Sequence, residues 1–177
     1  MRKLIESTLV SLDGVIESPE RWAIFDDEAT QLSMQELDNY DAFVMGRVTY
    51  ERFRENWSAS GGNPYFDRIA GMPKYVASQT LSDLTWNATL LGPDIAGAIE
   101  QLKAQPRKDL IKYGTSRVDD TLLRQRLIDE LRLWIMPVVV GTGQRLFEDV
   151  DTSSLKLTLT DVHELRNGSV VLTYTLG

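Results

Sequence analysis

The chain contains no cysteine and a single histidine, His163. The first absence excludes disulfides, thiolate nucleophiles and iron–sulfur or zinc-thiolate centres, and the second excludes a histidine-built cluster, so no metal site is expected. Positive charge is scarce as well: 19 Lys and Arg stand against 26 Asp and Glu, for a net charge of −7. Without a basic face to neutralise phosphates, no nucleic-acid partner is expected, and any anionic ligand must be held locally. No apolar run approaches the roughly 18–20 uncharged residues that span a membrane. Glu6 interrupts the segment where a signal peptide would carry its apolar stretch. The reading is therefore a cytoplasmic protein with no membrane partner. Two nucleotide-binding fingerprints are missing too, since no G-x-G-x-x-G follows a strand pattern and no G-x-x-x-x-G-K-[ST] occurs. Chemistry is left to carboxylates, hydroxyls or a bound cofactor.

What is present suits one domain over residues 1–177, because 177 residues with 42% apolar content can bury one sizeable core. Lys3 to Val10 reads as a strand broken by Ser11-Leu12-Asp13-Gly14, after which Ser18-Pro19-Glu20 opens a loop carrying Trp22. Asp26 to Tyr40 follows helical spacing, with Asp26, Asp27 and Glu28 at the end that favours negative charge. The pattern continues with strand 42–45, helix 49–57, a Ser/Gly/Asn/Pro loop at 58–64 expected to be flexible, and strands at 74–77 and 88–91. A helix from Pro93, strand 109–113 and helix 118–127 follow. Glu130 to Val140 reads as one long strand with Leu131, Leu133 and Ile135 on one face. Leu155 to Leu165 and Ser169 to Leu176 form a hairpin around Asn167-Gly168. Alternating units predict an α/β fold with a mixed, mainly parallel sheet between helical layers and an antiparallel hairpin at its C-terminal edge.

Three strands end in small or polar residues: Met45-Gly46-Arg47, Ala77-Ser78-Gln79-Thr80 and Tyr113-Gly114-Thr115-Ser116. In an open parallel sheet, ligands bind outside the carboxyl ends of the strands, where helix N-termini present free N–H groups. Gly46 and Gly114 would admit a phosphate to the backbone. Arg47 would add charge, and Thr49, Ser78, Thr80, Thr115 and Ser116 would add hydroxyls. Each segment alone reads more readily as a plain turn than as a ligand cradle; their recurrence at three strand ends points to one crevice.

Ser11-Leu12-Asp13-Gly14-Val15-Ile16, the run Met45-Gly46-Arg47-Val48-Thr49-Tyr50-Glu51, and Ile128-Asp129-Glu130-Leu131 leading to the 137–147 stretch with Gly141-Thr142-Gly143-Gln144-Arg145-Leu146-Phe147 together resemble the dihydrofolate reductase superfamily. The closer likeness is to the reductase domain of the bifunctional riboflavin-biosynthesis deaminase/reductase. The resemblance covers almost the whole chain. It implies a three-layer fold with an eight-stranded mixed sheet and NADPH lying across the strand ends. The cofactor would touch Ile16, Gly46, Arg47, Thr49, Ser78, Gln79, Thr80, Gly114, Thr115, Ser116, Arg117 and Gly143. Relatives often carry Arg or Lys where Gln79 stands, a cation that would pair with the 2′-phosphate separating NADPH from NADH. The resemblance also implies that Asp27 serves as the proton source, with Asp13, Trp22 and Glu28 toward the substrate, and that a homodimer forms.

Each of these residues has a second reading. The acids at 26–28 also suit a helix dipole, Asp13 before Gly14 is also a turn former, Trp22 is also a core aromatic, and Arg117 is also a solvated helix residue. The 141–143 run either closes over the cofactor or is a turn that lets Arg145 and Phe147 pack; the reading taken combines the two, with Gly143 near the cofactor and Phe147 in the core. His163 is assigned no role. Three functions fit: an NADPH-dependent reductase acting on a C=N or C=O bond of a small heterocyclic or conjugated molecule, pterin-like or ribosylaminopyrimidine-like; a dinucleotide-binding sensor without turnover; or an oligomeric scaffold.

Overall fold

The computed structural model describes residues 1–58, 61–153 and 155–177. β1 (Leu4–Ser11) leads through a 3₁₀ turn (Pro19–Arg21) into α1 (Asp27–Leu37). Then come β2 (Tyr40–Gly46), α2 (Arg47–Trp57), α3 (Pro64–Gly71), β3 (Lys74–Ala77), β4 (Ala88–Leu90) and α4 (Ile95–Lys103). The chain closes with β5 (Asp109–Tyr113), α5 (Val118–Arg124), β6 (Glu130–Met136), β7 (Leu157–Glu164) and β8 (Val170–Leu176). One eight-stranded sheet runs β4-β3-β2-β5-β1-β6-β8-β7. Its first six strands are parallel, β8 runs antiparallel to β6, and β7 runs antiparallel to β8.

Alternation along the central strands sorts side chains into two layers. Phe43 and Met45 of β2 join Ile5 and Ile111 beneath Leu37 of α1, Tyr50 of α2 and Ile69 of α3. Ala42 and Val44 face the other way, with Leu4 and Leu110, against Ile99 and Leu102 of α4 and Leu122 of α5. Three helices thus cover one face and two the other, which is why the middle of β2, Ala42 to Met45, reads as a continuous apolar run.

Several boundaries differ from the sequence reading, for local reasons. The first helix stops at Leu37, and Tyr40 starts β2 instead of ending the helix. α2 begins two residues earlier than expected, at Arg47, directly after Gly46. The strand expected over 130–140 ends at Met136, because Pro137 has no N–H to offer a ladder. The Val138 carbonyl instead accepts from the Leu12 N–H. α5 ends at Arg124, three residues short of expectation.

The expected loop at 58–64 includes residues 59 and 60, which lie outside the described residues. Beyond it, α3 is a helix that periodicity did not pick out; the Asn63 side chain caps it and Pro64 occupies its first turn. Lys74 closes its other end: Nζ donates to the carbonyls of Ile69, Ala70 and Met72 at 2.6, 3.0 and 2.7 Å and lies 4.1 Å from the centroid of the Trp86 ring. A buried lysine is tolerated there because orphan helix carbonyls need donors. The hairpin matches expectation, with Gly168 at φ +86° where a left-handed residue is needed.

Phe43 is wholly buried at the centre of the larger layer, edge-on to Tyr113 with centroids 5.2 Å apart. Phe43→Ala is expected to destabilise the fold by about 3–5 kcal/mol, read as a lower urea midpoint with an unchanged m-value.

Candidate functional site

The three segments singled out above emerge side by side. Gly46 of β2 lies in register with Ala77 of β3, and β5 pairs with the other edge of β2 through Val44 and Lys112. Residues 46–47, 78–80 and 114–116 therefore share one edge of the sheet. Gly46 and Ser116 approach most closely: a Cβ added to Gly46 would stand 3.4 Å from Ser116 Oγ and 3.7 Å from Val118 Cγ2. Gly46 has an ordinary extended backbone, so it is needed for space and not for its dihedral angles. Gly114 differs, since φ is +69° and a side chain would be strained there.

Gly46 is also the N-cap of α2 and offers no side-chain acceptor, so the first-turn N–H groups of this eleven-residue helix have no capping oxygen. Ser116 Oγ is buried with no hydrogen-bond partner. Thr49 and Thr115 are half-buried, whereas Gln79, Thr80 and Arg117 are exposed. Arg47 reaches back to Glu51 at 3.0 Å along its own helix. Ser78 Oγ accepts from the N–H groups of Thr80 and Leu81 at 3.2 and 3.1 Å, folding the 78–81 turn against the end of β3.

The opposite wall is a pair of knitted loops. Asp13 accepts from Ser11 Oγ at 2.7 Å and from the N–H groups of Val140 and Gly141 at 3.0 and 2.7 Å. These hydrogen bonds, led by the Ser11 hydroxyl, hold the Asp13 carboxyl well below the usual carboxylate range. The Arg145 guanidinium donates to the Asp13 carbonyl, the Ile16 N–H to the Gln144 carbonyl at 2.9 Å, and the Gln144 N–H to Glu17 Oε2 at 2.9 Å. Gly143, at φ +125°, sits so close that an added Cβ would be 3.0 Å from Val15. Ile16 and Gly143 are thus brought together, and Asp13 is fully engaged in the clamp. Sequence reasoning missed Glu17, whose role depends on a loop 127 residues away in the chain.

The acids before α1 are placed in three different ways. Asp26 caps the helix by accepting from the Ala29 N–H at 2.9 Å. Glu28 accepts from the Arg166 N–H at 2.9 Å, across to the hairpin turn. Asp27 is exposed and has neither a hydrogen bond nor an ion pair among the described residues. Trp22 donates Nε1–H to the Glu17 carbonyl at 2.8 Å and packs on the cluster around Trp134.

A second feature escaped the sequence reading. Glu6, Lys112 and Asp119 are all buried under the 114–116 loop, with Lys112 Nζ 2.7 Å from Asp119 Oδ1 and 3.5 Å from Glu6 Oε2. The available signal was a charged residue in the interior of each of two strands, Glu6 in β1 and Lys112 in β5.

The model of the RibD C-terminal domain family matches residues 2–171. The chain belongs to that family. An uncharacterized protein, YyaP of Bacillus subtilis, is 28% identical over 98% of this chain and 94% of its own length. Among solved structures, a putative riboflavin biosynthesis protein from Shewanella sp. PV-4 superposes with a TM-score of 0.74 at 22% identity, covering 99% of both chains. A dihydrofolate reductase from Enterococcus faecalis complexed with NADP(H) superposes with a TM-score of 0.62 at 16% identity, over 99% of this chain and 96% of that one. The shared fold is the dihydrofolate-reductase-like one, and the family places the chain among the oxidoreductases.

Because Asp13 ionises well below the ordinary range, its clamp is present above that range and is lost only as pH falls through the depressed value. Amide exchange at Val140 and Gly141 should stay slow relative to neighbouring loop amides down through pH 4. Asp13→Asn should accelerate both, and equal protection in the variant would refute the clamp.

Proposed function

We propose that this RibD C-terminal domain protein is an NADPH-dependent reductase of a small heterocyclic or conjugated molecule, acting on a C=N or C=O bond. The observation that carries the reading is the approach of Gly46 to Ser116 beside the uncapped start of α2. Such a cradle has free N–H groups, a spare hydroxyl and no Cβ in the way, which is what a pyrophosphate requires. When bound, the nicotinamide supplies the hydride, and the protein supplies orientation and a proton.

In this reading Gly46, Arg47 and Thr49 hold one side of the pyrophosphate, and Gly114, Thr115, Ser116 and Arg117 the other. Ser78, Gln79 and Thr80 lie toward the adenosine end. Ile16 and Gly143 bound the nicotinamide end from the knitted loops. Asp27 delivers the proton. Its availability supports this choice over its neighbours, since Asp26 and Glu28 spend their oxygens on the helix cap and on Arg166. Trp22, Asp13 and Glu28 set the shape of the substrate side through the loops they brace.

The mouth of the crevice favours a flat, uncharged substrate. Leu12, Ile24, Phe25, Val48 and Val139 are exposed on segments at the carboxyl edge of the sheet, an apolar rim of the kind that marks ligand sites. Glu20, Asp26 and Asp27 stand in the same 20–27 segment as Ile24 and Phe25, and negative charge there disfavours a phosphate at that end. A homodimer belongs to the same reading, supported by the exposed Leu157, Leu159 and Val162 on the edge strand β7.

Titration of the purified protein with NADPH and NADH, followed by fluorescence or calorimetry, tests the reading, and failure of both to bind would overturn it. Gly46→Val should abolish binding by filling the cradle, whereas Gly46→Ala, whose Cβ meets Ser116 Oγ at 3.4 Å, should only weaken it. Asp27→Asn should leave binding intact and lower turnover of a substrate found by screening by about 10²-fold or more. Unchanged turnover would remove Asp27 from the mechanism.

A further inference from the structure

Behind the 114–116 loop lie three ionisable side chains with no access to water: Glu6 from β1, Lys112 from β5 and Asp119 from α5, exposed by 1%, 1% and 0%. Each of the last two grips the loop. The Lys112 ammonium donates to the Gly114 carbonyl, and the second Asp119 oxygen, Oδ2, accepts from the Ser116 N–H at 2.5 Å. The backbone on either side of Thr115 is therefore fixed by one buried ion pair. Glu6 approaches the same ammonium at 3.5 Å, but neither of its oxygens has a hydrogen-bond partner among the described residues.

We propose that Glu6, Lys112 and Asp119 are positioning residues for the dinucleotide loop, and that Glu6 holds a proton whose loss loosens the grip on the cofactor. This rests on the cradle reading above and concerns the residues behind it. One ammonium can neutralise one carboxylate. A second ionised carboxylate in a dry interior would stand uncompensated, at a cost that protonation avoids.

The surroundings offer Glu6 no other relief. Its neighbour on β6 is the apolar Leu131, and the nearest polar group on its own strand face is the buried Thr8 hydroxyl. Lys103 of α4 is committed to the Leu127 carbonyl and to Asp129. Among the described residues, the charges acting on Glu6 are those of Lys112 and Asp119. Burial pushes the Glu6 carboxyl up to about 8, against the pull of Lys112, with the Asp119 carboxylate pushing the same way.

A carboxyl raised on folding binds its proton in the folded state, so the stabilised form is present at neutral pH and is lost as pH rises through about 8. Above that, the cluster behind the loop becomes net negative while the loop presents its N–H groups to an anion. Dinucleotide affinity should then fall by up to about tenfold per pH unit.

The test combines the ligand-free protein with NADPH titration between pH 6.5 and 9.5. In the ligand-free protein, the Ser116 amide resonance should titrate with a midpoint near 8 and should become flat in Glu6→Gln, which keeps the shape of the protonated side chain. In the same variant the NADPH affinity should match the parent at pH 7 and lose its decline above pH 8. Asp119→Asn should speed amide exchange at Ser116 and weaken NADPH binding at pH 7; should that variant fail to fold, the Glu6→Gln comparison decides alone. A Ser116 resonance that does not titrate, or a Glu6→Gln profile with the parental slope, overturns the proposal. A titrating Ser116 in a protein that binds no dinucleotide would instead uphold the proton device and reject the cofactor reading.

Discussion

The structure depends on the pairing of β1 with parallel strands on both sides, because the crevice strands are registered against it, β5 and β6 directly and β2 and β3 by way of β5. β5 meets β1 from Leu4 to Ser7, and β6 meets it from Ile5 to Ser11. The chain visits β2, β3 and β4 on one side, returns to insert β5 next to β1, and then crosses to β6 on the other side. Strand ends that are far apart in sequence are thereby set at one edge. The loops leaving β1 and β6 lie close enough for Asp13 to hold Val140 and Gly141, and the loops leaving β2 and β5 for Gly46 to approach Ser116.

A strand in that position is buried on both faces, which makes its polar residues expensive unless they are matched. Glu6 lies 3.5 Å from the ammonium of Lys112, the neighbour that the parallel register supplies, and this pull only partly offsets its burial. Ser11 is matched by the Val15 N–H and by Asp13, turning the end of the strand into the start of the loop clamp. At the periphery the same demand is met by lysines that reach carbonyls: Lys74 at the end of α3 and Lys103 at Leu127. A net-negative protein thus invests several of its few cations inside the fold, leaving Arg47 and Arg117 as exposed charges beside the cradle.

Much of the architecture was legible because it rests on local patterns. Alternating strands and helices, the Asn167-Gly168 turn and the three glycine- or serine-bearing strand ends are statements about neighbouring residues, and the observed sheet bears out the fold class. Misplaced boundaries had local causes that periodicity does not weigh, such as Pro137 ending the β6 ladder and Gly46 starting a helix without a side-chain cap. α3 was missed because an eight-residue helix behind an Asn-Pro start carries too few turns to show a period.

The sequence by itself determined the fold class, the order of its elements and the residue types available at the strand ends, since these follow from side-chain periodicity and backbone preference along the chain. It also determined that any chemistry must run without thiols, and that an anionic ligand would have to be gripped locally. Only the tertiary structure decided which of those residues meet. It joined Gly46 to Ser116, committed Asp13 to a clamp, left Asp27 unengaged between two occupied carboxylates, and buried Glu6, Lys112 and Asp119 together. Those outcomes depend on strand register and on which charges lose water in each other's company, and neither property is carried by a residue alone.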